Sequence, residues 1–261
     1  MRDLKNQVAL VTGAGSPTGI GFASARYLAM DGAHLALVST TDRIYERAAE
    51  LQKEFGIHAR GFIADLTQEE SAQKIVDKIL SEFGRLDICV NNAGMTVIGE
   101  SEQTHAIIDN TSLDEWLFSL DRNLTTCFLV TKAVLPAMRA QKYGRIINIS
   151  STSGPVQAFI GHASYHAAKA GMVGFTRATA MEAAPDGITV NAIAPGWIAT
   201  GSQLEDEVLS GELTAVGRSG KPEEIAVTVR FLADQEAAFI TGQLIVVDGG
   251  NSLPEDRTWK P

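Results

Sequence analysis

The sequence predicts an α/β fold built on a doubly wound, seven-stranded parallel sheet with helices on both faces. Short apolar runs alternate with longer amphipathic stretches along the whole chain. The runs are apolar at nearly every position, which is typical of strands buried on both faces of a parallel sheet. No linker, repeat or low-complexity stretch interrupts the 261 residues, so we expect a single domain over 1–261.

Each predicted strand is a short run with an amphipathic stretch after it, in the order that parallel strands require. The predicted strands are 7–12, 34–39, 59–64, 86–91, 144–150, 188–193 and 243–247. The helical stretches are at about 20–31, 42–55, 68–83, 113–141, 163–184 and 222–234. Polar, turn-rich segments at 95–112 and 197–220 predict loops or short helices around a site, the second of them over a substrate. We expect a surface tail over about 254–261.

Composition argues against several classes of function. The net charge of −9 and the pI of about 5.1 argue against a nucleic-acid surface. No apolar run reaches the roughly 18 residues that a membrane helix needs. The first residues carry charges on both sides of Leu4 and lack the apolar core of a secretory signal. We therefore expect a cytoplasmic protein without nucleic-acid or membrane partners, in which Cys89 and Cys127 are buried thiols.

A glycine-rich turn, TGAGSPTGIG at 12–21, joins the first predicted strand to the first predicted helix. Glycines there let the backbone turn tightly and approach a pyrophosphate, which the helix N-terminus also favours electrostatically. The alternative is an ordinary loop that happens to be rich in glycine. The position after the first strand of an alternating α/β chain favours dinucleotide binding.

The end of the second predicted strand bears on the choice of dinucleotide. An acidic residue there binds the ribose hydroxyls and repels a 2′-phosphate. This strand instead ends in the hydroxyls of Ser39, Thr40 and Thr41, with Arg43 close by. The pattern favours NADP(H) over NAD(H), although Asp42 reverses the preference if the strand runs further than predicted.

Tyr165 and Lys169 lie four residues apart on a predicted helix, so their side chains share one face. A nearby ammonium favours the phenolate and lowers a tyrosine pKa from about 10 towards neutrality. Such a phenol can give a proton to a carbonyl oxygen or take one from an alcohol. The spacing alone also occurs by chance on solvated helices, so the pair gains meaning only from its surroundings.

With these features in order, the chain resembles the classical short-chain dehydrogenase/reductase family, and within it the 3-oxoacyl carrier-protein reductase-like members. The matching segments are the turn at 12–21, Asp65-Leu66, NNAG at 91–94, Asn123, Ser151, Tyr165 with Lys169, Pro195-Gly196, ITGQ at 240–243 and VDGG at 247–250. The resemblance implies a Rossmann fold and an NAD(P)(H)-dependent oxidoreductase that interconverts a ketone and a secondary alcohol. It also implies a homotetramer that acts on a small-molecule carbonyl or alcohol substrate.

The resemblance further implies roles for individual residues. Tyr165 would be the general acid/base, Lys169 would lower its pKa, and Ser151 would hydrogen-bond the reacting oxygen. Asn123 would hold a water that links Lys169 to solvent. The implied cofactor-binding residues are Gly13, Ser16, Gly19, Ile20, Gly21, Ser39, Thr40, Thr41, Arg43, Asp65, Leu66, Asn92, Ala93, Gly94, Tyr165, Lys169, Pro195, Gly196, Ile198 and Thr200, and no metal is implied.

The chain departs from the family pattern in three places. The glycine turn is two residues longer than usual, and the stretch between Gly94 and Asn123 is also longer. The spacing from Ser151 to Tyr165 is 14 residues, one more than expected. The hydroxyl donor is therefore open among Ser151 and its neighbours Ser150 and Thr152, with Ser151 favoured by its distance to a following glycine.

A second hypothesis is a nucleotide-sensing binding protein that uses this fold without turnover, and the intact catalytic set argues against it. The substrate is open among a 3-oxoacyl thioester, a sugar or polyol, and a bulky ketone. The segments 151–162 and 197–216 carry no basic cluster for a carboxylate or phosphate, which favours an uncharged ketone or alcohol. Met95, Val97, Val156 and Phe159 are candidates for an apolar pocket lining, and Trp197 is either a wall of the substrate site or a packing residue. Three histidines are predicted to be structural or solvated, at positions 34, 58 and 105, whereas His162 and His166 lie near the expected site and are open to contact with a substrate.

Overall fold

The computed structural model of this chain describes residues 3–94 and 107–254. The pocket candidates Met95 and Val97, most of the segment 95–112 and all but the start of the predicted tail lie outside the described residues. Within the described ranges, no helix is both long enough and apolar enough to span a bilayer.

The described residues form seven strands, and helices lie between them. The strands are β1 Val8–Thr12, β2 His34–Ser39, β3 Ala59–Ile63, β4 Ile88–Asn91, β5 Gly144–Ile149, β6 Ile188–Pro195 and β7 Leu244–Val247. The α-helices are α1 Ile20–Met30, α2 Arg43–Phe55, α3 Glu69–Phe83, α4 Leu113–Leu120, α5 Thr126–Gln141, α6 Ala163–Ala183, α7 Glu205–Glu212 and α8 Pro222–Leu232. All strand pairs are parallel, in the order β3-β2-β1-β4-β5-β6-β7. The predicted doubly wound α/β fold is confirmed.

Alternate residues of the central strand serve two cores, one on each face of the sheet. In β1, Ala9 and Val11 pack with residues of α1, α2 and α8, whereas Val8 and Leu10 pack with residues of α3, α5 and α6. Because both faces are covered, every residue of β1 is buried. This is why the strand sequences are continuously apolar.

One element differs from the sequence expectation. The helical stretch predicted over 113–141 is divided into α4 and α5 by a π-helical turn at Asp121–Thr125. The segment 197–220, predicted as loops or short helices, contains the two-turn helix α7, in agreement with the prediction. Inserted π turns are frequent at functional sites, and this one contains Asn123.

Buried amides hold α6 against the middle of the sheet. The Asn148 side chain on β5 donates from Nδ2 to Thr176 Oγ1 on α6 at 2.8 Å. Its Oδ1 accepts a bond from Asn91 Nδ2 on β4, also at 2.8 Å. All three side chains are buried, so these bonds are shielded from water and fix the helix in register with two strands.

Candidate active site

The site lies where the strand order reverses between β1 and β4, outside the carboxyl ends of the strands. Open α/β sheets bind ligands at this point, because neighbouring loops diverge to opposite faces and leave a crevice. The Thr12 hydroxyl joins the two strand ends, since its Oγ1 accepts the backbone N–H of Asn92 at 3.0 Å and of Ala93 at 2.9 Å. The NNAG segment is thereby held beside the glycine turn.

Two glycines of the turn are required by contact with Asn92. Asn92 Nδ2 donates to the carbonyls of Thr12 and Gly13 at 3.0 and 3.1 Å. A Cβ at Gly13 would lie 2.8 Å from this nitrogen, and one at Gly21 would lie 2.5 Å from it. Gly13 also has a φ of +68°, which disfavours other residues. The Asn92 side chain therefore orders the turn.

The N-terminus of α1 has the properties of a phosphate site. Its N-cap residue Gly19 is extended and offers no side-chain cap, and the first turn has no acidic residue. The first turns of α5 and α6 also lack one, whereas those of α2, α3, α4, α7 and α8 all contain acidic residues. Unsatisfied N–H groups and the helix dipole favour an anion at such an end. Ser16 and Ile20 flank this end, so the residues present fit the pyrophosphate of a dinucleotide.

The end of β2 presents hydroxyls and a guanidinium. Ser39 Oγ donates to the Thr41 carbonyl at 2.8 Å, and Arg43 Nε donates to Thr41 Oγ1 at 3.3 Å. The strand ends at Ser39, as predicted, and Thr40 is exposed just beyond it. Asp42 is the residue before α2, not a strand-end carboxylate. The condition under which Asp42 would favour NAD(H) is therefore not met.

Asp65 and Leu66 follow β3 and have different surroundings. Asp65 is exposed, and its Oδ1 accepts bonds from the N–H and the hydroxyl of Thr67 at 3.0 and 2.7 Å. The Leu66 side chain is buried in the core between α3 and α5. Only Asp65 and the backbone of Leu66 are thus available to a ligand at this edge.

The hydroxyl next to Tyr165 belongs to Ser151. The neighbouring hydroxyls are engaged elsewhere: Ser150 Oγ donates to the Lys169 carbonyl at 2.9 Å, and Thr152 Oγ1 accepts Gln157 Nε2 at 3.1 Å. Ser151 is half-buried, accepts the Ser153 N–H at 3.1 Å, and hydrogen-bonds the Tyr165 hydroxyl. Of the three candidates, Ser151 is the one that the fold brings to the tyrosine.

Lys169 lies beneath Tyr165 on the same face of α6. Its Nζ is 5.6 Å from the centre of the Tyr165 ring and donates to the Ile149 carbonyl at the end of β5, at 3.0 Å. Burial lowers the pKa of Lys169 to about 8, because desolvation penalises the ammonium. The neighbouring Cys127 is a buried thiol whose own pKa is raised to about 12 by burial.

The Tyr165 pKa moves opposite to the sequence expectation. Desolvation of the phenol is the largest influence and raises the pKa above 10, although the residue as a whole is only half-buried. The hydrogen bond with Ser151 lowers it, and the carboxylate of Glu207 on α7 raises it further. The lowering expected from Lys169 is not among the influences on this pKa, and burial raises it instead.

Asn123 lies in the π turn beside the NNAG segment. It is fully buried, and its Nδ2 donates to the Ser119 carbonyl at 3.0 Å. Its Oδ1 faces Gly94, where an added Cβ would lie only 2.7 Å away. Gly94 also has a φ of +148°, so both space and backbone conformation favour glycine. The structure thus brings Asn123 and Gly94 together near the sheet edge.

The loop after β6 forms the remaining border of the crevice. Pro195 is the buried last residue of β6, and Gly196 packs so closely on Asp248 that a Cβ would lie 2.7 Å from the aspartate Cβ. Ile198 pairs with Gly220, and Thr200 Oγ1 shares a hydrogen bond of 3.0 Å with a neighbouring serine. These residues stand at the same sheet edge as the α1 N-terminus.

The loop also contacts the extended part of the glycine turn. A Cβ at Gly201 would lie 2.5 Å from Thr18 Oγ1. Thr18 belongs to the stretch that makes this turn two residues longer than the family pattern. The longer turn therefore reaches the loop over the crevice, a contact that the sequence did not indicate.

Comparisons with known proteins find reductases that match nearly the whole chain. A family model described as enoyl-(acyl carrier protein) reductase matches residues 13–252. The 3-oxoacyl-[acyl-carrier-protein] reductase of Vibrio cholerae is 41% identical over 253 residues, covering 95% of this chain and 98% of that protein. The corresponding Synechocystis reductase is 41% identical over 255 residues, covering 96% and 98%. The crystal structure of NADPH-dependent 3-quinuclidinone reductase from Rhodotorula rubra matches with a TM-score of 0.87 and 29% identity, covering 97% of this chain and 93% of that one.

Proposed function

The chain belongs to the short-chain dehydrogenase/reductase family, and from that membership we propose that it is an NADP(H)-dependent oxidoreductase interconverting a ketone and a secondary alcohol. The observation that carries the proposal is the cluster of Ser151, Tyr165 and Lys169 at the end of β5. A phenol, a hydroxyl and an amine converge there beside a helix end that fits a pyrophosphate.

A bound nicotinamide cofactor supplies the hydride for reduction and accepts it for oxidation. The turn at 12–21 and the N-terminus of α1 would hold its pyrophosphate, and Asp65 with the NNAG segment would border the adenosine. Lys169 and Tyr165 would hold the nicotinamide ribose, and Pro195 to Thr200 would border the nicotinamide. The remaining task of the protein is to orient the carbonyl and to give one proton to its oxygen.

Tyr165 is suited to donate that proton. Its raised pKa keeps the phenol protonated at neutral pH. Only the protonated phenol can act as a general acid and give a proton to the ketone oxygen. In the proposed mechanism the Ser151 hydroxyl donates a hydrogen bond to the same oxygen, and this fixes the oxygen beside Tyr165 Oη. The proton leaves Oη as the alcohol forms.

Lys169 would return the proton to Tyr165. A pKa of about 8 means that the amine exchanges protons near neutral pH, so it can pass one on without a large energetic cost. Asn123, buried in the π turn, would hold a water that connects Lys169 to solvent. This path and the individual roles are proposals that rest on the arrangement of the side chains.

The preference for NADP(H) rests on the end of β2. The strand ends in hydroxyls, no carboxylate stands at its last position, and Arg43 folds back onto Thr41. A guanidinium suits a 2′-phosphate, whereas an acidic residue would repel it. The structurally similar reductase from Rhodotorula rubra is itself described as NADPH-dependent, which supports the same preference.

For the substrate, we infer an uncharged ketone or alcohol. The nearest arginine of the loop region, Arg218, is bound at 2.8 Å by both carboxylate oxygens of Glu224. The carboxylate of Glu207 raises the pKa of Tyr165, and a carboxylate near the site disfavours an anionic substrate. A 3-oxoacyl thioester is the second candidate, because relatives about 40% identical are named as reductases of that substrate class.

The test is a fluorescence titration of the purified protein with NADPH and NADH, followed by oxidation of the preferred cofactor across a ketone panel. The panel includes cyclohexanone, 2-tetralone and an acetoacetyl thioester. We expect tight NADPH binding and turnover of the neutral ketones. Preference for NADH would contradict the role of Arg43, thioester turnover alone would favour the second candidate, and binding without any turnover would support a sensor.

We also propose that 1–261 folds as one unit and assembles as a homotetramer. Exposed apolar side chains support assembly: Phe128 on α5, Met181 on α6, Phe239 before the last strand and Val246 on that strand. Light scattering that gives a monomer, or two separate unfolding transitions in calorimetry, would contradict these proposals.

A further inference from the structure

The residue after Tyr165 uses its ring to hold the loop in front of α6. The backbone N–H of Phe159 donates to His166 Nε2 at 3.1 Å. His166 Nδ1 lies 2.6 Å from the carbonyl oxygen of His162. Because a carbonyl only accepts, Nδ1 carries the proton and Nε2 is the acceptor, so the hydrogen bonds assign the neutral Nδ1–H tautomer.

This bond is the main restraint on its segment of the loop. Residues 152–157 are closed by their own turn, in which the Gly154 N–H donates to the Gln157 carbonyl at 2.7 Å. From 158 to 161, among the hydrogen bonds found for the described residues, only the Phe159 N–H is engaged, and its acceptor is His166. Losing that acceptor would therefore free the backbone around Phe159.

The held residue is part of an aromatic group beside the site. The Phe159 ring lies 4.7 Å from the rings of both His162 and His166, and 6.1 Å from the Trp197 ring. Trp197 directly follows Gly196 in the loop after β6, and His166 directly follows Tyr165. Phe159 thus connects the first turn of α6 to that loop while 39% of its surface stays exposed.

We propose that His166 is a positioning residue that fixes Phe159 as an apolar wall at the entrance to the Tyr165 site, and so selects for bulky apolar ketones. The proposal rests on the proposed function for its substrate, but its contacts do not depend on turnover. The exposed face of Phe159, together with Val156 and Trp197, offers apolar surface to a large ketone. A small ketone held only at Ser151 and Tyr165 gains little from this wall.

Two substitutions distinguish the contribution of the hydrogen-bond acceptor from that of the aromatic ring. His166→Phe keeps an aromatic ring but removes the acceptor, whereas His166→Gln offers Oε1 as an acceptor in a similar place. His58→Gln is the control, because His58 pairs with Glu82 beside β3, away from the site. We expect His166→Phe to raise the KM for 2-tetralone about five-fold, the equivalent of one hydrogen bond, with kcat for cyclohexanone unchanged. His166→Gln and His58→Gln should keep the wild-type KM.

Amide hydrogen exchange of the peptide containing Phe159 gives a readout that needs no turnover. We expect faster exchange at Phe159 in His166→Phe, and protection near the wild-type level in His166→Gln. If the wild type turned over neither ketone, the proposed function would fail. The exchange result would still test whether His166 holds the backbone of Phe159. Unchanged exchange in His166→Phe, equal defects in both His166 variants, or an equal loss of kcat for both ketones would overturn the proposal.

Discussion

Replacing Arg43 tests how the protein chooses its cofactor. Arg43 begins α2 and is exposed, and its Nε donates to Thr41 Oγ1 at 3.3 Å. Within the described ranges the guanidinium forms no ion pair with a carboxylate, so its terminal nitrogens can serve a ligand. We predict that Arg43→Ala weakens NADPH binding and leaves NADH binding unchanged, because only NADPH carries the 2′-phosphate.

The size of the effect follows from the exposure of the side chain. Hydrogen bonds to charged groups contribute about 1.5–3 kcal/mol, and solvent screening at an exposed site favours the lower end. A loss of about 1.5 kcal/mol corresponds to a Kd for NADPH raised about ten-fold. The difference between wild type and variant should shrink as salt is added, because salt screens the ionic contact.

The assay is a fluorescence titration of both proteins with both cofactors at two salt concentrations. Arg60→Ala is the matched control, since Arg60 is an exposed arginine on β3 that pairs with Glu82 at 3.0 Å. The control should bind both cofactors like the wild type. Equal weakening of NADH and NADPH by Arg43→Ala, or no change in either, would refute the assignment of Arg43 to the 2′-phosphate.

Three further substitutions test the site and its scaffold. Because the Glu207 carboxylate raises the pKa of Tyr165 and reduction needs the protonated phenol, Glu207→Gln should move the alkaline limb of the kcat/KM profile to lower pH; an upward shift would contradict this. Gly94→Ala should lower kcat about ten-fold, through about 1–3 kcal/mol of backbone strain and displacement of Asn123, and wild-type kinetics would contradict it. Asp87→Ala removes a buried carboxylate that accepts the Val8 N–H and pairs with an arginine. The free energy of unfolding in urea should therefore fall by about 3 kcal/mol, whereas removing an exposed carboxylate should change it very little.

The strands were predictable because burial on both faces leaves a plain signature in the sequence. The run at 34–39 coincides with β2 from His34 to Ser39, since polar or turn-forming residues bound it on both sides. The predicted strand at 86–91 began two residues early. Leu86 and Asp87 are buried like strand residues, but they lie before the ladder of β4.

The helices were less predictable where local geometry departs from a regular period. The π turn at 121–125 changes the helical hydrogen bonding without interrupting the amphipathic pattern, so the sequence predicts one continuous helix. The segment 197–220 was predicted as loops or short helices, but the bounds of α7 within it were not predicted. The three acidic residues of its first turn stabilise the helix through the helix dipole, and this signal could have located its start.

The candidate residues were predictable as a set, but their environment was not. Sequence order placed Ser151, Tyr165 and Lys169 at one strand end, and the fold brings them together. The direction of the Tyr165 pKa depends on burial, which a spacing of four residues does not reveal. The contact between His166 and Phe159 likewise depends on a loop folding back over seven residues, for which no periodic pattern exists.

The central claim is that Tyr165 transfers the proton, and the most direct test is turnover by Tyr165→Phe on a ketone that the wild type accepts. The substitution keeps the ring and removes only the hydroxyl. We predict a loss in kcat of about 10²-fold or more, the usual contribution of a positioned general acid, in a variant that still binds NADPH. Turnover at the wild-type rate by a folded, NADPH-binding Tyr165→Phe protein would contradict the proposed mechanism.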